Sequence, residues 1–251
     1  MAKNKRLVFI HGFLENAGMW QSIISGISKR NYIVNTPELP GHGQNLTVPE
    51  VHTSDVWCQN ILDQLNLAAD EKVFIVAHSM GGYLASSLVG MIRDQVTGLC
   101  LFHSKASADH QQKLDDRARA IIAAKSNKEL YVRTMVNSIF YEKTKSLHSA
   151  AIEKQINYAK QLSLETIVAS QEVMISRIDQ VALLQKRSFP LFYFLGDHDN
   201  SLPMDVLNNE VSQLPGALMH VEPEIGHMGH IEATKASIEF IQRILHTVSE
   251  Q

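Results

Sequence analysis

Four short apolar runs mark the first hundred residues, and polar stretches with helical periodicity lie between them. The runs are Leu7-Val8-Phe9-Ile10, Tyr32-Ile33-Val34, Val73-Phe74-Ile75-Val76 and Leu99-Cys100-Leu101-Phe102. Continuous apolar runs of this length, without polar alternation, suit strands covered on both faces. After the first run, Trp20, Ile23, Ile24 and Ile27 recur at i, i+3, i+4 and i+7, which predicts an amphipathic helix from Met19 to Arg30. Pro37 and the turn Pro40-Gly41-His42-Gly43 end the second strand. Thr53 is placed to cap a helix that carries Trp57, Ile61 and Leu65 on one face. A third helix is expected from Gly82 to Arg93.

From Lys105 to Arg187 the pattern changes. No convincing strand occurs, glycine and proline are absent, and Lys, Glu, Gln, Ala and Ser dominate with helical spacing. The simplest reading is a succession of about four helices. Strand character returns at Leu191–Leu195, a short strand is expected from Ala217 to Val221, and a helix from Ile231 to Val248 closes the chain. Strands alternating with helices imply a mostly parallel sheet, here of about six strands, with right-handed crossovers. The expected architecture is therefore α/β. Residues 1–104 and 188–251 form the core, and residues 105–187 form an inserted helical cap over the sheet's C-terminal edge. No internal repeat, low-complexity tract or flexible linker interrupts this plan.

Composition narrows the picture. A chain of 251 residues, 45% hydrophobic and 20% charged, can bury one full core with an insertion. A net charge of −3 gives no reason to expect a polyanion such as nucleic acid as partner. Cys58 and Cys100 fall in helical and strand patterns and read as buried thiols, not a disulfide framework. The basic start, Met-Ala-Lys-Asn-Lys-Arg, leads into an apolar run too short for a signal peptide, and no run reaches membrane-span length. The expectation is a cytoplasmic protein without a membrane partner. Its oligomeric state is not legible.

The chemistry concentrates at Ala77-His78-Ser79-Met80-Gly81-Gly82. This segment follows an apolar strand and opens a helix. A serine on so sharp a turn, among small residues, is a nucleophile elbow. The turn lifts the hydroxyl clear of the sheet and aims the following helix N-terminus at any anion formed there. Ala77 stands where the usual Gly-x-Ser-x-Gly spelling has its first glycine. Serine needs a base, and the base needs a carboxylate to fix its tautomer. The expected chain order is Ser, then acid, then His. Asp197 and Asp199 directly follow the strand Leu191–Leu195, and both are candidate acids. The loop Ile225-Gly226-His227-Met228-Gly229-His230 offers the base. The i, i+3 spacing of His227 and His230 also suits a metal, but no acid or thiol accompanies them at ligand spacing. No metal and no cofactor are expected. For an oxyanion hole, one backbone N–H is expected from Met80 and the other from Phe13 in the loop His11-Gly12-Phe13-Leu14. His11 and His78 read as structural, tying the loop and packing near the elbow.

Taken together, His11-Gly12-Phe13, Pro40-Gly41-His42-Gly43, His78–Gly82, Gly196–Asp199 and Gly226-His227 run in order from the first strand to the last helix. On these residues the chain resembles the α/β-hydrolase superfamily. The similarity is to its compact capped members: carboxylesterases, proline iminopeptidases, C–C bond hydrolases, cofactor-free haloperoxidases and the menaquinone-pathway SHCHC synthase. The resemblance implies an acid in a Gly-x-x-Asp turn, hence Asp199, with Asp197 a turn or capping residue. It implies His227, directly after a glycine, as the base, with His230 capping or packing against the last helix. Serine at the nucleophile position disfavours dehalogenase and epoxide hydrolase chemistry, which use Asp there. The chain departs from the pattern at Ala77, at Glu38 where many relatives have Asp, and in lacking two N-terminal antiparallel strands. The Glu38 change is expected to alter only a loop hydrogen bond.

The expected function is serine-dependent cleavage of an ester, thioester or amide of a small acyl substrate through Ser79, His227 and Asp199. A lyase or C–C hydrolase using the same triad is the alternative, since the His-Gly-Phe-Leu opening resembles SHCHC synthases. Those enzymes need basic residues to hold carboxylates. Arg117, Arg119, Arg133 and Arg177 lie in the cap, but a solvated helical surface is the plainer reading. A non-enzymatic small-molecule receptor is a third possibility on such a scaffold. Among the cap aromatics, Tyr131, Phe140, Tyr141 and Tyr158 read first as helix packing and second as pocket lining.

Overall fold

Six strands make one sheet in the order β2-β1-β3-β4-β5-β6, and every neighbouring pair is parallel. The strands are β1 Lys5–Ile10, β2 Ile33–Asn35, β3 Lys72–His78, β4 Val96–Phe102, β5 Leu191–Gly196 and β6 Leu218–Glu222. The structure is a computed structural model that describes residues 5–29 and 32–249. The order reverses between β1 and β3, which sets the C-terminal ends of those strands beside a crevice where α/β sheets place their sites. Central strands are buried along nearly their whole length, as their continuous apolar runs require.

Helices cover both faces. On one face, α2 (Ser54–Leu65), α3 (Met80–Met91), α8 (Val181–Gln185) and α9 (Met204–Ser212) pack through Trp57, Leu84, Leu88, Leu184 and Leu207. On the other, α1 (Gln21–Gly26) and α11 (Thr234–Ser249) pack Ile23, Phe240, Ile241 and Ile244 against Phe9, Phe74 and Phe192. Between β4 and β5 the chain forms α4 (Gln111–Ser126), α5 (Lys128–Ser138), α6 (Ser149–Ala159) and α7 (Leu164–Ser176), then α8, with a 3-10 turn at Lys145–His148. Of these, α4 to α7 share a separate apolar cluster around Val132, Val136, Phe140 and Ile156. Leu14 and Met228, from loops at the sheet edge, complete that cluster. Glu210 of α9 anchors the start of the insertion. Its carboxylate accepts the Ala106 and Ser107 N–H groups and the Tyr193 hydroxyl, each at 2.8 Å.

Several elements differ from the sequence reading at their ends. The first predicted helix is a 3-10 turn at Ala17–Trp20 followed by α1, which stops at Gly26. Ile27 then takes extended backbone, φ −97° and ψ 154°, and its side chain enters the core. The remainder of that prediction, at Arg30, lies outside the described residues. The elbow helix starts and ends earlier than predicted, and a 3-10 turn at Arg93–Gln95 follows it. The closing helix is two pieces, α10 (Gly229–Glu232) and α11, divided at Ala233, whose φ of −139° is not helical. Thr53 does occupy the N-cap of α2, but its side chain makes no capping bond. Both cysteines are buried and free. Among the described residues, no helix is long and apolar enough to cross a membrane.

Candidate active site

Ser79 sits between β3 and α3 with φ 50° and ψ −118°. A left-handed backbone at a non-glycine residue costs about 1–3 kcal/mol and persists only where the surroundings enforce it. Here the Ser79 N–H donates to the Phe102 carbonyl at 3.1 Å, and the Ser79 carbonyl accepts from Ser104 Oγ at 2.7 Å. The bend also brings the chain close to its neighbours. A Cβ at Gly82 would come within 2.3 Å of Ser104 Oγ, so a small residue is required there. The small-residue pattern of the elbow is thus a packing requirement, and Ala77, buried on β3, meets it.

The strand ends bring three of the sequence-predicted residues into contact. Ser79 Oγ lies 2.8 Å from His227 Nε2, and His227 Nδ1 lies 2.6 Å from Asp199 Oδ2. With a carboxylate at Nδ1, that nitrogen carries the proton and Nε2 accepts from the serine. Asp199 follows β5 in a turn, and its Oδ1 accepts from Ser201 N at 2.9 Å and Leu202 N at 3.2 Å. Burial works to raise its carboxyl. The opposing His227 charge and the His103 and His227 hydrogen bonds outweigh this and hold it well below the usual carboxylate range. Asp197, the other candidate, is turned away and pairs with exposed His198 at 2.6 Å.

The loop carrying His227 is fixed from several sides. Glu232 accepts from the Gly226 and Met228 N–H groups, while the Ile139 carbonyl accepts the His227 N–H at 2.8 Å. Behind it stands a second histidine–carboxylate pair. His78 Nδ1 donates to Glu15 Oε2 at 2.7 Å and Nε2 donates to the His227 carbonyl at 3.0 Å. Both ring nitrogens face acceptors, so His78 is an imidazolium. Burial alone would lower its pKa, but the Glu15 carboxylate raises it above the ordinary value. Burial likewise opposes ionisation of Glu15, and His78 overrides it, bringing that carboxyl down to about 2. His230 does not cap a helix. It is buried with its ring 5.6 Å from that of His78, and burial pushes it down to about 3. His227 and His230 therefore face different carboxylates: His227 groups with His103 and Asp199, and His230 with His78 and Glu15.

Phe13 lines the cavity beside Ser79, and Met80 follows Ser79 as the first residue of α3. His11 ties its loop as expected: Nδ1 donates to the Gly12 carbonyl and Nε2 accepts the Leu39 N–H at 3.0 Å. The Glu38 carboxylate accepts the Ala17 N–H at 3.0 Å and stands 3.2 Å from His11 Nε2.

A cavity opens over Ser79, with about 550 Å³ of unfilled space when the solvent at its mouth is counted. Its far wall comes from the insertion: Lys113, Arg117, Met135, Ile139, Gln171 and Met174. This corrects the reading of the arginines as solvated. Arg119 and Arg133 do point outward, but Arg117 and Arg177 are buried, 8% and 7% exposed. Both bond Asp109 at 2.7 Å, and Lys105 stands 3.4 Å from the same carboxylate. Arg177 also stacks on Tyr83, 3.9 Å from the ring centre. Lys113 lines the cavity and makes no ion pair among the described residues. None of the four cap aromatics lines the cavity. Tyr131 reaches it through Gln171, whose Nε2 donates to the Tyr131 hydroxyl at 2.9 Å.

A family model described as alpha/beta hydrolase fold matches residues 5–234. The chain belongs to the α/β-hydrolase fold family. Within it, the chain is similar to 2-succinyl-6-hydroxy-2,4-cyclohexadiene-1-carboxylate synthase of Klebsiella pneumoniae, 25% identical over 254 residues, 95% of this chain and 93% of that one. An esterase of Thermogutta terrifontis, solved with malate bound, superposes with a TM-score of 0.86 at 23% identity, covering 97% of this chain and 90% of that one. The enol-lactonase of Burkholderia xenovorans superposes with a TM-score of 0.83 at 16% identity, covering 96% and 92%. All three relatives are α/β-hydrolase-fold enzymes.

Sequence reasoning missed His103, Glu15 and Ser104. His103 directly follows the apolar run of β4, the same strand-end position that singled out Ser79 after β3 and Asp199 after β5. That position was the available signal. Glu15 and Ser104 carried none, because their roles depend on contacts across the sheet.

Proposed function

We propose that the protein is a serine hydrolase that cleaves an ester of a small acyl compound through an acyl-enzyme. The observation that carries this reading is the continuous chain from Ser79 Oγ through His227 to Asp199, 2.8 Å and 2.6 Å long in its two links, opening into a cavity. Ser79 Oγ attacks the carbonyl carbon while its proton passes to His227 Nε2. The backbone N–H groups of Phe13 and Met80 hold the oxyanion. Collapse breaks the C–O bond, and His227 gives its proton to the departing alcohol. Water then attacks the acyl-enzyme, its proton going to His227, and the carboxylic acid leaves as Ser79 is restored. Asp199 orients His227 and balances its positive charge in both halves. Thioesters and amides are open to the same steps with a different leaving group.

A specific observation favours a second reading. Lys113 and Arg117 put positive charge on the cavity wall, suited to a substrate that carries a carboxylate. The synthase relative is named for a carboxylate product, and the esterase neighbour holds malate. The same triad could then serve proton abstraction and elimination on a carboxylate-bearing carbonyl compound.

The experiment is p-nitrophenol release from p-nitrophenyl esters of increasing acyl length, wild type against Ser79→Ala. Turnover by the wild type that disappears in Ser79→Ala supports the hydrolase reading. A folded wild type that releases no p-nitrophenol rejects it and advances elimination from carboxylate-bearing substrates.

A further inference from the structure

Among the described residues Asp199 has four hydrogen-bond donors, two backbone and two side-chain, and one of the two side chains has no part in the steps above. His103 Nδ1 donates to Asp199 Oδ2 at 3.1 Å, the same oxygen that accepts the His227 Nδ1 proton. Ser201 and Leu202 occupy Oδ1. A carboxylate offers about four lone-pair sites, so every site on Asp199 is taken. The two backbone donors fix one oxygen, and His103 fixes the other toward His227.

The chain goes to some length to put this imidazole there. His103 has a φ of 47°, a left-handed backbone that a histidine adopts only under constraint, and its N–H is tied to the Phe194 carbonyl at 2.7 Å. The ring is fully buried and stands edge-on to the stacked pair Phe102 and Phe194. Gly229 leaves the room for it, since a Cβ there would come within 2.4 Å of His103 Nε2. That Nε2 has no hydrogen-bond partner among the described residues. A second ring proton would be buried without an acceptor, so the ring stays neutral. The other titratable groups around it are Asp199, His227, His78 and His230. Burial outweighs Asp199 and pushes His103 down to about 4.

We propose that His103 is a positioning residue. As a neutral donor it shares Asp199 Oδ2 with His227, aligns the carboxylate, and limits how strongly the carboxylate holds the proton on His227. The inference rests on the reading of Ser79, His227 and Asp199 as the working triad. It goes further by predicting two separable effects of removing the donor. Alignment suffers, which lowers kcat. The freed carboxylate also favours protonated His227 more strongly, which moves the acid limb of kcat/KM to higher pH. His103 does not line the cavity, so KM is unaffected.

The test compares wild type, His103→Asn and His103→Leu on p-nitrophenyl butyrate across pH, with Ser79→Ala as control. Asparagine tolerates the left-handed backbone, and its amide nitrogen can take the place of Nδ1. Leucine keeps bulk and removes the donor. His103→Leu is expected to lose about tenfold in kcat at unchanged KM, with the acid limb raised by roughly half a pH unit or more. His103→Asn is expected to keep both near wild type. If His103→Leu does not fold, His103→Ala is the donorless variant read in its place. A donorless variant with wild-type kcat and an unshifted limb overturns the proposal. So does an equal loss in the asparagine and donorless variants, which would make the ring a packing element only. Esterase activity that is absent from the wild type, or that survives in Ser79→Ala, overturns the triad reading itself and this inference with it.

Discussion

The sheet edge and the helical insertion close on the same cavity from opposite sides, and they treat buried charge differently. At the sheet edge each charge is matched. Asp199 has four donors, and Glu15 and His78 form an ion pair 2.7 Å long with both members about 2% exposed. On the insertion side, Lys105, Arg117 and Arg177 share one carboxylate, Asp109, and Lys113 pairs with no carboxylate among the described residues. Burial works to raise Asp109, but the two guanidiniums hold it far below the usual range. A fully matched set of charges is rigid and holds reacting groups in register. Of these cations Lys113 and Arg117 line the cavity. On the proposed reading, the sheet edge carries the reaction and the insertion selects what reaches it.

The largest expected effect lies at the sheet edge. Asp199→Asn should reduce kcat on a p-nitrophenyl ester by about 10⁴-fold, through the wrong His227 tautomer, while the protein remains folded. Steady-state kinetics with circular dichroism checks this. If a single substitution on the insertion wall cost as much at full folding, the division between the two regions would fail.

Next comes stability. Glu15→Gln leaves the His78 imidazolium buried without its counter-ion and should destabilise the protein by about 3 kcal/mol. The pH dependence has a definite sign. Glu15 is depressed to about 2 from 4.5, so its contribution is present above 4.5 and is lost as pH falls toward 2. His78 is raised above 6.5, so its contribution is complete below 6.5 and is lost as pH rises through the folded value. The gap in stability between wild type and Glu15→Gln should therefore be widest between about pH 4.5 and 6.5 and narrow on either side. Denaturant melts at several pH values measure it. A gap that does not vary with pH would show that the pair is not ionised.

How much was legible in the sequence also divides along this line. The sheet edge writes its plan locally. A strand fixes where its C-terminal end falls, so the apolar runs before Ser79 and Asp199 already placed both residues at one edge, and the glycine before His227 marked a loop. His103 stood in the same kind of position, but a histidine after a strand has no spelling of its own, and its bond to Asp199 joins two different strands. The insertion is different. Its periodicity announced helices, though not the 3-10 turn at Lys145–His148 or the short α8. It could not say which arginines turn inward. Arg117 and Arg119 are two residues apart on α4, and helical spacing alone does not say which of them turns inward. Arg117 meets Asp109 in the loop before α4, and Gln171 and Met174 of α7 across the helix pair, the latter contacts leaving no local trace.

The smallest effect sharpens the comparison most. Lys113→Gln and Arg117→Gln remove cavity charge, while Arg177 and Lys105 still serve Asp109, so the fold should hold. Each should lower kcat/KM for monomethyl adipate about tenfold, a single charged hydrogen bond to the free carboxylate being worth about 1.4 kcal/mol or more. Neither should change kcat/KM for an uncharged methyl ester of similar length by more than about twofold, because nothing on that substrate meets the wall. A pH-stat gives both rates. The loss should appear in KM, since the carboxylate is held equally in the ground and transition states. Raised salt should weaken the wild-type preference for the acid ester in the same direction, though less than at an exposed site, because Arg117 is buried. Equal losses on the charged and uncharged esters would mean that these cations hold the insertion together and take no part in choosing the substrate.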